Sequence, residues 1–237
     1  MLNFIGRGSA FNHKEGNNSA FYIENRKMIL IDCGETTFSD ILELNLLDNI
    51  DTIDVLITHT HPDHFGSLGS LIFYFYFMKQ GMLNIIVDKE AKHKDSMHQI
   101  LLLSGVKEKM FQFLDSSKII DRYDSVEGIA YVPTSHYEGL DSYGIYLIIN
   151  GEKIYFSGDT NSIEDIKRML FKEKVDKIYV DTISIDFEGN PHLALEILEA
   201  NIPLEYRKQI HCMHINSPEC ELESTEKGFN VVKRYKK

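Results

Sequence analysis

The sequence predicts a layered α/β fold with a mixed sheet. Two observations carry that prediction: short apolar runs follow one another at the start of the chain, and later runs alternate with stretches of helical periodicity. Polar turn segments separate nearly all of them. With 237 residues the chain can bury a sizeable core, and we expect one domain over residues 1–237.

The elements follow in order. Leu2 to Gly6 reads as a strand, and Asn12 to Ser19 as a polar loop. Ala20 to Glu24 and Lys27 to Ile31 read as a hairpin turning at Glu24-Asn25-Arg26. Phe38 to Leu47 has helical spacing, and Ile53 to Thr58 is a short buried strand. Gly66 to Lys79 should be a helix that is apolar almost all round, so it is either buried or covered by a partner. Asn84 to Val87 is a strand, Lys92 to Leu103 a helix, and Lys118 to Ile120 and Gly128 to Val132 are strands. Asn150-Gly151 joins Tyr143 to Ile149 with Lys153 to Phe156 in a second hairpin. Ser162 caps a helix to Leu170, with acids in its first turn. Lys177 to Val180 is a strand, Pro191 to Ala200 a helix, and Gln209 to Met213 the last clear strand.

Composition narrows the function. Asp and Glu number 36 against 25 Lys and Arg, a net charge of −11. A nucleic-acid binder would show a basic footprint, so stable nucleic-acid binding is not expected. An anionic small substrate stays open, because a metal can supply local positive charge. Three cysteines (Cys33, Cys212 and Cys220) are too few for a disulfide scaffold and fit a reducing cytoplasm. The chain opens with strand-like sequence rather than a leader, and its longest apolar run, Leu71 to Met78, is far short of a membrane span. A cytoplasmic protein is the expectation.

The ten histidines cluster. His59-Thr-His-Pro-Asp-His64 sets three imidazoles and a carboxylate within six residues, directly after a buried strand. Both side-chain types ligate zinc and similar divalent ions. A loop at a rigid strand end can aim His59 and His61 one way and Asp63 and His64 another, which suits two metals.

This motif resembles the signature of the metallo-β-lactamase fold, and the resemblance runs along nearly the whole chain. Leu30-Ile-Asp-Cys-Gly34 is similar to the strand end that precedes the motif in that family. Ser135-His136 is similar to its third ligand segment, and Ser157-Gly-Asp-Thr160 to the segment of its bridging aspartate. The resemblance implies a four-layer αββα sandwich with two mixed sheets and two divalent ions, zinc or manganese. It implies His59, His61 and His136 on one ion, Asp63, His64 and His214 on the other, and Asp159 between them. Asp63 is also counted among the catalytic residues. His136 could instead cap a turn, Asp159 could merely precede a helix, and His211 lies three residues before His214, inside the last strand. Asp32 is expected to support the metal loop without ligating.

Within the fold the chain resembles the ribonuclease Z branch. Phe4 to Ala10 is similar to its glycine-serine opening, and Gly16-Asn-Asn-Ser19 to the segment that follows. There an acid and a histidine, here Asp181 and His192, act as a proton-donating pair, with aspartate replacing the usual glutamate. One feature departs from the branch. Asp159 comes only 23 positions after His136, so the long arm that grips tRNA has no room. The arm-less relatives imply a small cyclic phosphodiester or cyclic nucleotide as substrate. Three other readings stand beside this one: a ribonuclease Z-like RNA-processing endonuclease, a lactone or thioester hydrolase, and a metal-stabilised interaction protein. Tyr137 and Tyr143 could stack on a ring, though such tyrosines more often pack, and His13 could enter the site. Members of the branch often pair through the helices flanking the metal loop, and Phe73 to Phe77 exceed what one buried face needs, so a homodimer is expected.

Overall fold

Alternation of buried side chains along the strands builds the layers. The computed structural model describes residues 1–89 and 91–236. In β3 (Lys27–Ile31), Met28 and Leu30 face one apolar cluster while Ile29 and Ile31 face another. In β10 (Lys177–Asp181), Ile178 and Val180 face outward to a third cluster and Tyr179 faces inward. Each sheet is thus buried on both faces, as strands with near-continuous apolar runs require.

The first sheet runs in chain order: β1 (Asn3–Gly6), β2 (Ser19–Glu24), β3, β4 (Thr52–Leu56), β5 (Leu83–Val87) and β6 (Phe111–Asp115). Its first two pairings are antiparallel and the rest parallel. The second sheet comprises β7 (Val126–Pro133), β8 (Tyr143–Ile149), β9 (Glu152–Phe156), β10, β11 (Ile210–Met213) and β12 (Asn230–Val231) in the same sense. Its β7–β8–β9 pairings are antiparallel and the others parallel. The sheets meet through Ile29, Ile31 and Leu56 against Leu147, Phe156 and Met213. Helices α1 (Thr37–Glu43), α3 (Leu68–Met78) and α4 (Lys94–Leu103) cover the outer face of the first sheet. Helices α5 (Ile163–Lys167) and α6 (Leu195–Asn201) cover the second. The architecture is the expected four-layer αββα sandwich with two mixed sheets.

Most expected elements form, and the departures have local causes. Asn150 and Gly151 both take positive φ, as a two-residue hairpin turn demands. Lys118 to Ile120 is not a strand. The Asp115 side chain accepts from Ser117 N at 3.1 Å and starts a 3₁₀ turn, and the edge strand is Phe111–Asp115, which sequence reading missed. Helix α1 stops at Glu43, short of Leu47. The helix expected over Gly66–Lys79 forms as α3, and the loop before it contains an unforeseen one-turn helix α2 (Pro62–Phe65). Ser162 caps α5 by accepting from Asp165 N, and the helix continues as a π turn over Arg168–Lys172. The helix expected from Pro191 begins only at Leu195. Ile183 bonds both sides of Ala194 through Leu193 O and Leu195 N, which keeps Pro191 and His192 in the preceding loop. The C-terminal helix α7 (Pro218–Glu226) and β12 were not foreseen.

The metal-motif loop is seated by backbone contact. Cys33 N donates to His64 O at 2.7 Å, and Ser67 N donates to Cys33 O at 3.1 Å. Gly34 lies so close that a methyl group there would overlap the Asp63 carbonyl. We expect Gly34→Ala to cost about 1–3 kcal/mol by overpacking. Urea denaturation would register this as a lower midpoint with an unchanged slope.

Candidate metal centre

The parallel strands of both sheets deliver their carboxyl ends to one edge of the sandwich. Asp32 follows β3, the segment His59–His64 follows β4, Asp159 follows β9, Asp181 ends β10 and His214 follows β11. Segments at strand carboxyl ends are where open α/β sheets bind ligands. Only His136 arrives otherwise, on the β7–β8 connection.

The structure brings all seven expected ligands together in two groups. Donor atoms of His59, His61 and His136 lie within 4.8 Å of one another, as do those of Asp63, His64, Asp159 and His214. His61 Nδ1 is 3.1 Å from His59 Nε2 and 3.2 Å from His136 Nε2. Asp63 Oδ2 is 3.3 Å from both His64 Nε2 and His214 Nε2. Asp159 reaches both groups, with Oδ2 3.9 Å from His59 and 3.7 Å from His136, and Oδ1 3.2 Å from His64. His211 is a half-buried strand residue against the Tyr179 ring, away from the cluster.

Outer hydrogen bonds fix the ring faces. His64 Nδ1 donates to Asp32 Oδ2 at 2.8 Å, His59 Nδ1 to Thr58 Oγ1 at 3.1 Å, and His136 Nδ1 to the Pro191 carbonyl at 2.9 Å. His214 Nδ1 donates to Asp181 Oδ1 at 3.0 Å. Each of the four therefore turns Nε2 to the centre, whereas His61 turns Nδ1. Second partners of this kind set tautomer and orientation in metal-binding histidines. Thr58 closes the first set, its hydroxyl donating to Asp32 while its amide donates to Asp32 Oδ1 at 2.8 Å. Asp32 and His214 hold positive φ, a strained backbone that aims each side chain.

His192 stands at the cluster's rim. Its Nδ1 donates to Asp181 Oδ2 at 2.7 Å, so Asp181 holds His192 and His214 at once. Sequence reading found only the first role. It also missed Thr58 and the Pro191 carbonyl. A hydroxyl beside His59 was a usable signal, but a backbone carbonyl leaves none. Tyr143 proves to be a packing residue, its hydroxyl accepting from Lys92 N and its ring 4.7 Å from His93. Tyr137 and His13 line the cavity of about 540 Å³ that opens onto His61, Asp63, Asp159 and His192.

Burial and neighbouring charge compete in the cluster. Burial holds His59 well below the ordinary imidazole value, and burial with His136 lowers His61. Burial also pulls on His64 and His214, but carboxylates outweigh it. Asp159 and Asp63 raise His64, and Asp159 and Asp181 raise His214 to about 10. Asp63, Asp159 and Asp181 stay below the usual carboxylate range against burial, held down by His64 and His214, and by His192 for Asp181. Three buried carboxylates thus demand compensating positive charge. His64 Nε2 and Asp159 Oδ1 are buried 3.2 Å apart, and neither is closed by a well-directed hydrogen bond. Convergent imidazoles and buried carboxylates within reach of one another fit divalent metal ions. We expect Asp32→Ala to lower metal affinity about 10–100-fold, as loss of such a supporting group does, read by competition against a chromogenic chelator.

Comparison with known proteins shows the family and the fold. The profile of the family described as Anti-Pycsar protein Apyc1 matches residues 1–237. An Anti-Pycsar protein Apyc1 from Saccharibacillus brassicae is 30% identical over 222 residues, covering 90% of this chain and 88% of that protein. Among solved structures, the short form of human tRNase Z superposes with a TM-score of 0.68 at 15% identity, over 99% of this chain and 97% of that one. The metallo-β-lactamase fold protein YhfI from Bacillus subtilis does so with a TM-score of 0.69 at 14% identity, over 99% and 95%. The chain has the metallo-β-lactamase fold, gathers donor groups that could hold metal ions, and belongs to the Anti-Pycsar protein Apyc1 family.

Proposed function

We propose that this chain is a dinuclear metal-dependent phosphodiesterase that opens a small cyclic phosphodiester, with a cyclic nucleotide as the favoured substrate class. The observation that carries the reading is the His192–Asp181 pair beside the donor cluster. An ester oxygen leaving phosphorus needs a proton, and an imidazole held by a carboxylate at 2.7 Å is built to deliver one. Membership of a family named for acting against Pycsar, and of an arm-less form of the fold, supports the same class.

In this reading His59, His61 and His136 hold one ion, Asp63, His64 and His214 the other, and Asp159 lies between them. When bound, a pair of zinc or manganese ions neutralises phosphoryl oxygens and lowers the pKa of the attacking water. The chain's own work falls to three residues. Asp63 lines the cavity floor, with its carboxylate kept ionised by His64 and His214. Asp181 fixes the tautomer of His192 by accepting from Nδ1, which leaves Nε2 to carry the proton to the departing oxygen. Burial pulls the His192 pKa down, but the Asp181 carboxylate outweighs it and leaves the imidazole above its ordinary value.

RNA processing fits less well. The interval from His136 to Asp159 is filled by the β8–β9 hairpin, and the net charge of −11 offers no grip on a polyanion. The three cysteines are free and buried, in keeping with a reducing cytoplasm. Pairing of two copies through α3 belongs to the same proposal, since Phe77 and Met78 are exposed at its end. Light scattering would give twice the chain mass, and a monomer would refute that part.

The test is product analysis by mass spectrometry, with chelated and zinc- or manganese-reloaded protein, on cyclic mononucleotides, cyclic dinucleotides and a precursor tRNA. We expect His192→Ala to lose about 10²–10⁴ in kcat on a cyclic nucleotide. It should lose far less on a p-nitrophenyl diester, whose leaving group needs no proton. Because His192 must be protonated, kcat/KM should fall as pH rises through its raised pKa. Asp181→Asn, which removes the raising charge, should move that limb to lower pH. Cleavage of tRNA alone would shift the assignment to an RNA endonuclease. Absence of phosphodiester cleavage would shift it to lactones and thioesters.

A further inference from the structure

Phe11 is 92% exposed, an unusual position for a phenyl ring, which gains by leaving water. Floppy backbone does not explain it, because the backbone beneath is pinned on every side. Ser9 O accepts from Asn12 N at 3.0 Å and closes a turn with Ala10 and Phe11 at its corner. Ser9 N and Asn12 Nδ2 both donate to Ile215 O, at 3.1 and 3.0 Å, and Ile215 N donates to Arg7 O at 2.9 Å. Arg7, only 9% exposed, bonds Glu15 and Glu221 at 2.7 Å each and pegs the loop to α7. The ring is therefore presented by a rigid mount.

Phe11 lines the same cavity as the donor cluster, and so does Tyr137, a second exposed aromatic at 63%. Tyr137 follows His136, and its ring lies 6.1 Å from that of His61. The cavity is thus lined both by metal-type donors and by two solvent-facing rings, mounted on segments that adjoin the donors (Ile215 beside His214, Tyr137 beside His136). Its volume of about 540 Å³ suits a mononucleotide-sized molecule. Among the described residues the lining includes no Lys or Arg, so stacking is the means of grip that it offers.

We infer that Phe11 and Tyr137 are specificity-determining residues that take the planar heteroaromatic ring of the substrate, a nucleobase, while its phosphodiester meets the donor cluster. The inference rests on the phosphodiesterase reading and names what that site selects. Base–aromatic stacking tolerates any base, because every base has a π-face, so these two rings select for the presence of a base rather than its identity.

The test compares each cyclic nucleotide with ribose 3′,5′-cyclic phosphate, which has the same diester and no base. Phe11→Ala and Tyr137→Ala should each raise the ratio of the two KM values about tenfold. Phe11→Trp and Tyr137→Phe, which keep a ring, should restore it, and Phe11→Leu, which keeps only apolar bulk, should not. Isothermal titration with a phosphorothioate cyclic nucleotide gives a readout independent of turnover, and Kd should rise by a similar factor in the alanine variants. An unchanged ratio, or rescue by leucine, overturns the inference and leaves the phosphodiesterase reading standing. Phosphorothioate binding that weakens in the alanine variants without any turnover upholds the ring site and sinks the catalytic reading. A change in solution mass on Phe11→Ala would assign the residue to a protein interface instead.

Discussion

Three carboxylates buried within one cluster of imidazoles are the constraint that shapes the rest of the molecule. Asp63, Asp159 and Asp181 lie at the meeting point of both sheets, shielded from water. Charges so placed persist only if opposite charge and hydrogen bonds surround them. The chain answers with histidines whose outer nitrogens are tied to Asp32, Thr58, Pro191 and Asp181. The remaining nitrogens and carboxylate oxygens point inward at one another, an arrangement that suits cations.

Holding such a cluster in place requires rigid support from many directions. Five parallel strands end at the same edge, so each donor sits within a residue or a few of a strand buried on both faces. Strain is admitted where it aims a side chain, as at Asp32 and His214. Close approach is admitted where only glycine fits, as at Gly34 beneath Asp63. The same stiffness extends outward through Ile215 and Arg7 to the loop bearing Phe11.

Asp181 illustrates how economically the site is wired. One oxygen accepts from His214, which belongs to the donor cluster, and the other from His192, the proposed proton donor. Its own amide donates to Ser157 Oγ at 3.0 Å, and Thr160 N donates to its Oδ2 at 3.0 Å. Those bonds reach the segment of Asp159 from both sides. A single carboxylate therefore links the donors, the proposed acid and the shared aspartate.

Much of this was legible in the sequence. Short apolar runs marked ten of the twelve strands among the described residues, Asn150-Gly151 marked a hairpin, and six residues from His59 to His64 announced the chemistry. Local patterns carry such information because strand burial and turn geometry depend on neighbouring residues. The seven-residue donor set could be drawn up because it could be carried over from a family motif by motif. Other features were decided only by tertiary structure. The short edge strands β6 and β12 depend on a neighbour to pair with, and His192 stays outside α6 because Ile183 holds Ala194 extended. The Pro191 carbonyl orients His136 across 55 residues, Asp181 serves two rings at once, and Phe11 reaches the cavity only because Ile215 and α7 hold its turn. The sequence by itself determined which residues could ligate and which segments would be strands. The folded chain decided which nitrogen each ring presents, because that choice is made by hydrogen bonds between residues far apart in sequence.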